Sequence, residues 1–200
     1  ETFSEHRSLR IIRISLFSLV CTYLLWPYIA VFSLYVSLQI GHLEGVEERV
    51  DWSLFKKNFR VDLDNLVEVN LKKSLNKKNI QMNFDSLTLS KSISDKIATP
   101  EGLIYLFNKP DDFIEQIRQI LNNTILPEKI NPPIPKKKAF EPVGPNFPDL
   151  FKRIKYAFFT KPDSFRLSFN EGVFSFTMDW RLQGLFWKLI RLKILTKKIK

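Results

Sequence analysis

The longest feature of the hydrophobic pattern is a stretch without any charge, Ile14–Ile40, near the start of the chain. A helix needs about 20 apolar residues, at about 1.5 Å each, to cross a bilayer core of roughly 30 Å. Pro27 lies inside the stretch, and because proline kinks or begins helices, we divide the stretch there. Leu9 to about Tyr28 is predicted to be a transmembrane helix, and 28–42 a helix that packs on the domain. The alternative is a buried core helix of a soluble protein, but such helices rarely run to about 18 residues without a charge.

Four residues are predicted to lie at the two membrane interfaces. Arg10 and Arg13 extend long stems to the near surface. Trp26 and Tyr28 suit the far interface, where amphipathic rings are enriched. The basic start also fits a cleaved signal peptide, but bulky residues follow the apolar run where a small-x-small cleavage site would stand. We therefore predict an uncleaved signal anchor.

The charges on the two sides of the span predict its orientation. Three arginines precede the charge-free stretch and three glutamates follow it closely: Arg7, Arg10, Arg13, Glu44, Glu47 and Glu48. The positive-inside rule then places the N-terminus in the cytoplasm. We expect a single-pass protein of the inner (cytoplasmic) membrane, with a periplasmic or extracellular domain.

The spacing of apolar residues and the capping signals predict four further helices, over 51–78, 84–98, 100–108 and 113–122. Asp51 and Thr99 stand where N-caps belong, and Pro100 fits a first helical turn. Gly41 begins a segment that should stop the long N-terminal helix.

Residues 151–200 change to a period of two, which is typical of strands. Four strands joined by short turns predict an antiparallel meander with one aromatic face and one polar, basic face. In its first strand, Ile154, Tyr156 and Phe158 are predicted to share one face. The alternation breaks at Leu189-Ile190, which predicts a β-bulge or burial on both sides.

The aromatic face of this sheet must be covered, and the preceding helices are available to cover it. The predicted fold class is therefore α+β: an N-terminal transmembrane helix, then several helices packed on a C-terminal four-stranded antiparallel meander. Residues 1–28 are predicted to be a cytoplasmic stub with the anchor, and residues 29–126 the helical part of the soluble domain. Residues 127–150 form a connector rich in proline and lysine. Residues 151–200 form the sheet of the same domain and a basic tail.

Several short motifs occur in a characteristic order along residues 27–195: Pro27-Tyr28 with Ala30, Leu34 and Tyr35; Val50-Asp51-Trp52 with Leu54; Thr99-Pro100-Glu101-Gly102-Leu103; Ile154-Lys155-Tyr156; Phe165 with Leu167; and Gly184-Leu185-Phe186-Trp187-Lys188-Leu189. In this order the chain resembles a bacterial family of unknown function, number two-nine-three-nine among such families. The connector and the high lysine content depart from the family's pattern. The resemblance implies a membrane or signal segment, helices and a strand meander, and it implies no catalytic residue.

Charge adds an expectation about partners. The chain has 31 Lys and Arg against 21 Asp and Glu, a net charge of +10. Most of the excess lies in the domain, where basic residues attract anionic headgroups at roughly 1 kcal/mol each when close. We predict membrane lipid as a partner, with another membrane protein or complex as an alternative, and no nucleic acid. A solvated, lysine-rich surface is the plainer interpretation of the same charge.

The sequence contains none of the short motifs that mark a familiar chemistry. Neither phosphate-binding glycine pattern nor the hydrolase pattern G-x-S-x-G occurs. A lone Cys21 excludes a disulfide framework. His6 and His42 should lie on opposite sides of the membrane, so they are not expected to share a metal site. We therefore predict no catalytic, metal-binding or cofactor-binding residue, no cofactor and no enzymatic activity.

These observations favour a non-enzymatic accessory or interaction module of the bacterial envelope. A second hypothesis is a cup that binds a small ligand or lipid, with Phe174, Phe176, Met178 and Trp180 lining a pocket between the sheet and the helices. The same four residues are more often plain core. The third and weakest hypothesis is an unrecognised enzyme.

Overall fold

The computed structural model of the chain describes residues 2–75, 86–109, 112, 115–116, 119, 153–171 and 174–196. The helices are α1 (Thr2–Ile40), α2 (Leu43–Arg49), α3 (Trp52–Leu75), α4 (Ser86–Ile97) and α5 (Pro100–Asn108). The strands are β1 (Ile154–Lys161), β2 (Ser164–Glu171), β3 (Phe174–Gln183) and β4 (Phe186–Thr196). The predicted α+β class is confirmed. The connector and most of the helix predicted over 113–122 lie outside the described residues.

The long helix α1 continues through Pro27 without a break. The part after Pro27, which was predicted to pack on the domain, does so, since Ala30, Leu34 and Leu38 are buried. Proline removes a single helical hydrogen bond. That loss is offset here because Trp26 and Tyr28, on either side of the proline, donate hydrogen bonds to the sheet. The helix ends where predicted, at Gly41, whose φ of 71° is readily adopted by glycine.

The predicted caps of α3 and α5 are confirmed. The Asp51 carboxylate accepts hydrogen bonds from the backbone N–H groups of Ser53 and Leu54, both at 3.1 Å. The Thr99 hydroxyl accepts one from the N–H of Gly102 at 3.1 Å, and α5 has its proline in the first turn. Local sequence is sufficient to begin both helices.

The four strands form one antiparallel sheet in the order β1-β2-β3-β4, which confirms the meander. Asp179 pairs with Arg191 and Trp180 with Leu189, so Ile190 is an extra residue on β4. The predicted break in the alternation is therefore a β-bulge.

The edge strand β1 departs from its predicted alternation. A register shift between Ile154 and Tyr156 turns Ala157 and Phe159 towards the core. Tyr156 and Phe158 are consequently 41% and 57% exposed. The prediction that these two share an inward face with Ile154 is wrong, because a bulge exchanges the faces of the residues that follow it.

Helices and sheet share a single hydrophobic core. Its most buried members come from the sheet and from α1, α2, α3 and α4, and include Leu34, Val46, Phe55, Ile93, Phe165, Trp180, Trp187 and Leu189. Val50, just before α3, pairs with Leu189 as a parallel bridge, and the N–H of Asp51 donates to the Leu189 carbonyl at 3.0 Å. This bridge joins the helical part directly to β4.

Asp51 also links the start of α3 to the sheet, which makes it sensitive to pH. Its carboxylate accepts hydrogen bonds from the Ser53 hydroxyl at 2.7 Å and from the Gln183 amide at 2.5 Å. Burial would raise the pKa of Asp51, but the hydrogen bonds from Ser53, Gln183 and the backbone of Leu54 outweigh it and lower that pKa. A lowered pKa in the folded state stabilises the fold above the unfolded value of about 3.9, and the contribution is lost as pH falls through the folded value.

We expect Asp51→Ala to lower the free energy of unfolding by about 1 kcal/mol near neutral pH. The variant should also lose less stability than the parent between about pH 5 and pH 2, since this carboxylate no longer titrates. Equilibrium unfolding in detergent micelles at several pH values measures both effects. Asp51→Asn is the matched control, because asparagine still caps a helix but does not titrate. If the free energy of unfolding falls equally between about pH 5 and pH 2 in the parent and both variants, Asp51 is not the carboxylate that makes the fold sensitive to acid.

Candidate membrane-proximal site

The N-terminal part of α1 is uncovered by the rest of the described chain. Every residue from Arg10 to Val20 is exposed, and Phe17 is 72% exposed. The helix from Arg10 to Ile40 is long and apolar enough to cross a membrane, and only 11% of its most apolar window is buried. A core helix of a soluble protein is mostly buried, so this low burial argues against the core-helix alternative.

The four predicted interface residues fall into two groups along α1. Arg10 and Arg13 lie on the uncovered part. Trp26 and Tyr28 lie where the helix meets the sheet, since the Trp26 indole donates to the Leu185 carbonyl at 3.0 Å and the Tyr28 hydroxyl to the Ala157 carbonyl at 2.8 Å. The two aromatic residues therefore join the helix to the domain, a role that the sequence analysis did not assign.

Tyr23 is a further joining residue that the sequence analysis missed. Its hydroxyl donates to the Pro162 carbonyl, and its ring stacks on Phe159 with centroids 5.6 Å apart. The ring of Tyr28 packs edge-on against Phe165 at 5.0 Å. The signal for this contact was the clustering of three aromatic side chains with polar atoms in an otherwise apolar run.

Two turns of the sheet meet α1 at these aromatic residues. We call them the tip edge, defined as Lys161–Ser164 between β1 and β2 and Gln183–Phe186 between β3 and β4. The N–H of Leu182 donates to the Asp163 carbonyl at 2.8 Å, which holds the two turns side by side. Tyr28, which follows Trp26, contacts Ala157 and Phe165 farther from the turns, while residues 10–20 are exposed, so the uncovered N-terminal part of α1 projects past the tip edge.

A row of basic side chains crosses the outer face of the sheet, beginning in the tip edge at Lys161 and continuing just behind it. Lys161 pairs with Ser164, Ser164 with Arg181, and Arg181 with Lys188. Residues directly opposite each other on neighbouring strands share a face. We call Lys161, Arg181 and Lys188 the basic row; none of the three forms a salt bridge with another residue in the described ranges.

One acid of the outer face, Asp179, has a partner outside the basic row. Arg166 and Asp179 pair across β2 and β3, with Nε and Oδ1 2.6 Å apart. The Asp179 carboxylate is thus neutralised by Arg166 on the neighbouring strand. The basic row keeps its charge available for an external anion.

The residues predicted to line a pocket are packed in the core where their side chains are described. Trp180 is 1% and Phe176 8% exposed, and Met178 packs against the same core. The side chain of Phe174 lies outside the described residues. The indole N–H groups of Trp180 and Trp187 are buried, and no described residue accepts a hydrogen bond from either.

The described part of the chain contains no group of three or more His, Cys, Asp or Glu residues that could hold a metal ion. His42 has a structural contact, because its Nδ1 accepts a hydrogen bond from the N–H of Gly45 at 3.1 Å and so caps α2. Cys21 is a free thiol on α1 and partly buried.

No family model, no curated protein and no solved structure matches this chain. The resemblance to family two-nine-three-nine therefore stays a prediction.

Proposed function

We propose that this chain is a single-span protein of the bacterial inner membrane, with its N-terminus in the cytoplasm and its α+β domain outside. It acts as a non-enzymatic accessory or interaction module of the envelope. The observation that carries the proposal is α1 itself, which is uncovered from Arg10 to Val20, is apolar enough from there on to cross a membrane, and contributes Ala30, Leu34 and Leu38 to the core of the domain.

The continuity of α1 supports an uncleaved anchor over a cleaved signal peptide. Leu34 and Leu38 of this helix are buried in the core, and Tyr23 and Trp26 hold the tip edge. Cleavage within or after these residues would remove contacts that the domain uses. Because helix and domain are joined without a linker, the domain would keep a fixed orientation above the bilayer, which suits docking on lipid or on a neighbouring membrane protein.

The anchor is tested by extraction of membranes with alkaline carbonate, which releases peripheral proteins. The full chain should remain in the membrane pellet. Leu19→Arg should reduce the inserted fraction, because an arginine near the centre of a span costs about 2.5–3.5 kcal/mol. Leu195→Arg is the matched control, since Leu195 is an exposed leucine on β4. Release of the unaltered chain by carbonate would overturn the proposal.

A second candidate function, the cup that binds a small ligand or lipid, has one observation in its favour. The indoles of Trp180 and Trp187 are buried donors without an acceptor among the described residues, and buried donors usually have one. A ligand oxygen between the sheet and the helices would supply it. Titration of the chain in detergent with a short-chain phospholipid should then change tryptophan fluorescence saturably, and Trp180→Phe should weaken binding. An unsaturable response would remove this candidate.

A further inference from the structure

We propose that the tip edge docks on the membrane that α1 crosses, with the basic row on anionic lipid headgroups and with Leu185 and Phe186 in the boundary between headgroups and acyl chains. The inference rests on the proposed function, since it requires α1 to be a membrane span. It adds a second contact with the bilayer, made by the sheet.

The length of α1 below the tip edge brings the sheet to the membrane. Between the last arginine, Arg13, and the contact of Trp26 with Leu185, the helix has only the charge-free residues 14–26. At about 1.5 Å per residue this segment measures about 20 Å, which is roughly 10 Å less than the bilayer core. The stems of Arg10 and Arg13 recover only part of the difference by reaching back to the near surface. The far boundary of the bilayer's hydrocarbon core therefore lies at the level of the tip edge, or beyond it on the side of the domain.

The chemistry of the β3–β4 turn suits this position. Leu185 and Phe186 are 76% and 58% exposed, although they follow Gly184 in a turn, where polar residues are usual. Single exposed apolar residues are common on protein surfaces. Two of them at the tip of a turn beside the membrane helix form a wedge of the kind that enters the headgroup–acyl boundary by about 5–10 Å.

The basic row lies at the height that headgroup phosphates would occupy. Lys188 follows Leu185 by three residues, which is about 10 Å along a strand. The flexible stems of Lys161, Arg181 and Lys188 can shorten that distance. Three bases lie at or next to this edge against two acids, Asp163 and Asp51, and Asp51 is engaged by Ser53 and Gln183, so the edge keeps an excess of positive charge for anionic lipid.

The first experiment measures the depth of the β3–β4 turn in nanodiscs that contain the full chain. In a Cys21→Ala background, which has no other cysteine, Leu185→Cys carries an environment-sensitive label, and lipids brominated in their acyl chains quench it. Leu195→Cys is the matched control, because Leu195 is an exposed leucine near the opposite end of β4, about 30 Å away. We expect strong quenching at 185 in phosphatidylglycerol-rich discs and weak quenching at 195. Equal quenching at the two positions would overturn the proposal.

The second experiment tests the basic row with the same label at 185. Arg181→Gln and Lys188→Gln should each lower the ratio of docked to undocked domains about fivefold in phosphatidylglycerol-rich discs. Lys193→Gln is the matched control, since Lys193 lies on the same strand but away from the tip edge. If either row variant shifts the ratio no more than Lys193→Gln does, the headgroup contact is wrong.

A label at Leu19→Cys separates the two proposals, because Leu19 lies on the uncovered helix. Quenching at 19 together with none at 185 would leave the anchor standing and reject docking by the tip edge. Absence of quenching at 19 would reject the anchor, and docking with it.

Discussion

Replacing Arg191 with methionine is expected to lower the free energy of unfolding by about 3 kcal/mol. Arg191 donates to both oxygens of Asp62, from Nε at 2.8 Å and from Nη2 at 2.6 Å, and so fastens α3 to β4. Asp62 is only 6% exposed, so the variant would leave a buried carboxylate without its partner. Loss of one member of a buried ion pair costs about 3–5 kcal/mol. We take the lower end because the Arg191 side chain is 34% exposed and water can reach part of the site.

Two control variants test whether the stability lost in Arg191→Met comes from the buried Asp62 carboxylate left without a partner. Arg166→Met removes an arginine from a comparable pair with Asp179 in which the arginine side chain is 46% exposed, and it should cost less than about 1 kcal/mol. The double variant Asp62→Met with Arg191→Met should be more stable than Arg191→Met alone, because no buried charge is left unpaired. Unfolding in detergent micelles followed by circular dichroism measures all three. Equal stability of Arg191→Met and the parent would contradict the role of this pair.

Replacing Gly102 with alanine is expected to destabilise the fold by about 2 kcal/mol, although alanine is the better helix former. An added Cβ would lie 2.4 Å from the carbonyl oxygen of Ile97 and 2.7 Å from its Cα. These are backbone atoms at the end of α4, so α5 would have to move as a whole. Overpacking costs up to about 3 kcal/mol, and the gain in helix propensity returns about 1 kcal/mol.

Glu101→Ala is the matched control for Gly102→Ala. It makes the neighbouring residue of the same helical turn an alanine without a clash, and we expect a change within about 0.5 kcal/mol. Thermal unfolding of both variants under one set of conditions gives the comparison. If Gly102→Ala is as stable as Glu101→Ala, the backbone of Ile97 does not lie close enough to Gly102 to exclude a Cβ.

The features predicted correctly are those that depend on neighbouring residues. The caps at Asp51 and Thr99 and the stop at Gly41 follow from hydrogen-bonding capacity and conformational freedom within one helical turn. The bulge at Ile190 was visible because it breaks a period of two in the apolar pattern. The α+β class followed from these local signals together with the change of period after residue 150.

The features that were missed depend on residues far apart in the chain. The continuity of α1 through Pro27 was not visible in the sequence, because contacts with the sheet more than a hundred residues away hold both sides of the proline. The face of Phe158 depends on how β1 registers on β2, which a single strand does not reveal. The basic row exists only once the strands are paired, since its three members come from three different strands.

The central claim, that α1 crosses the membrane with its N-terminus inside, is tested most directly by the accessibility of two cysteines. In the Cys21→Ala background, Ser8→Cys and Leu195→Cys are placed before the span and in the domain. A membrane-impermeant maleimide is applied to spheroplasts and to inverted membrane vesicles. We predict labelling at 195 only in spheroplasts and labelling at 8 only in inverted vesicles. Labelling of both positions from the same side of the membrane would contradict the span.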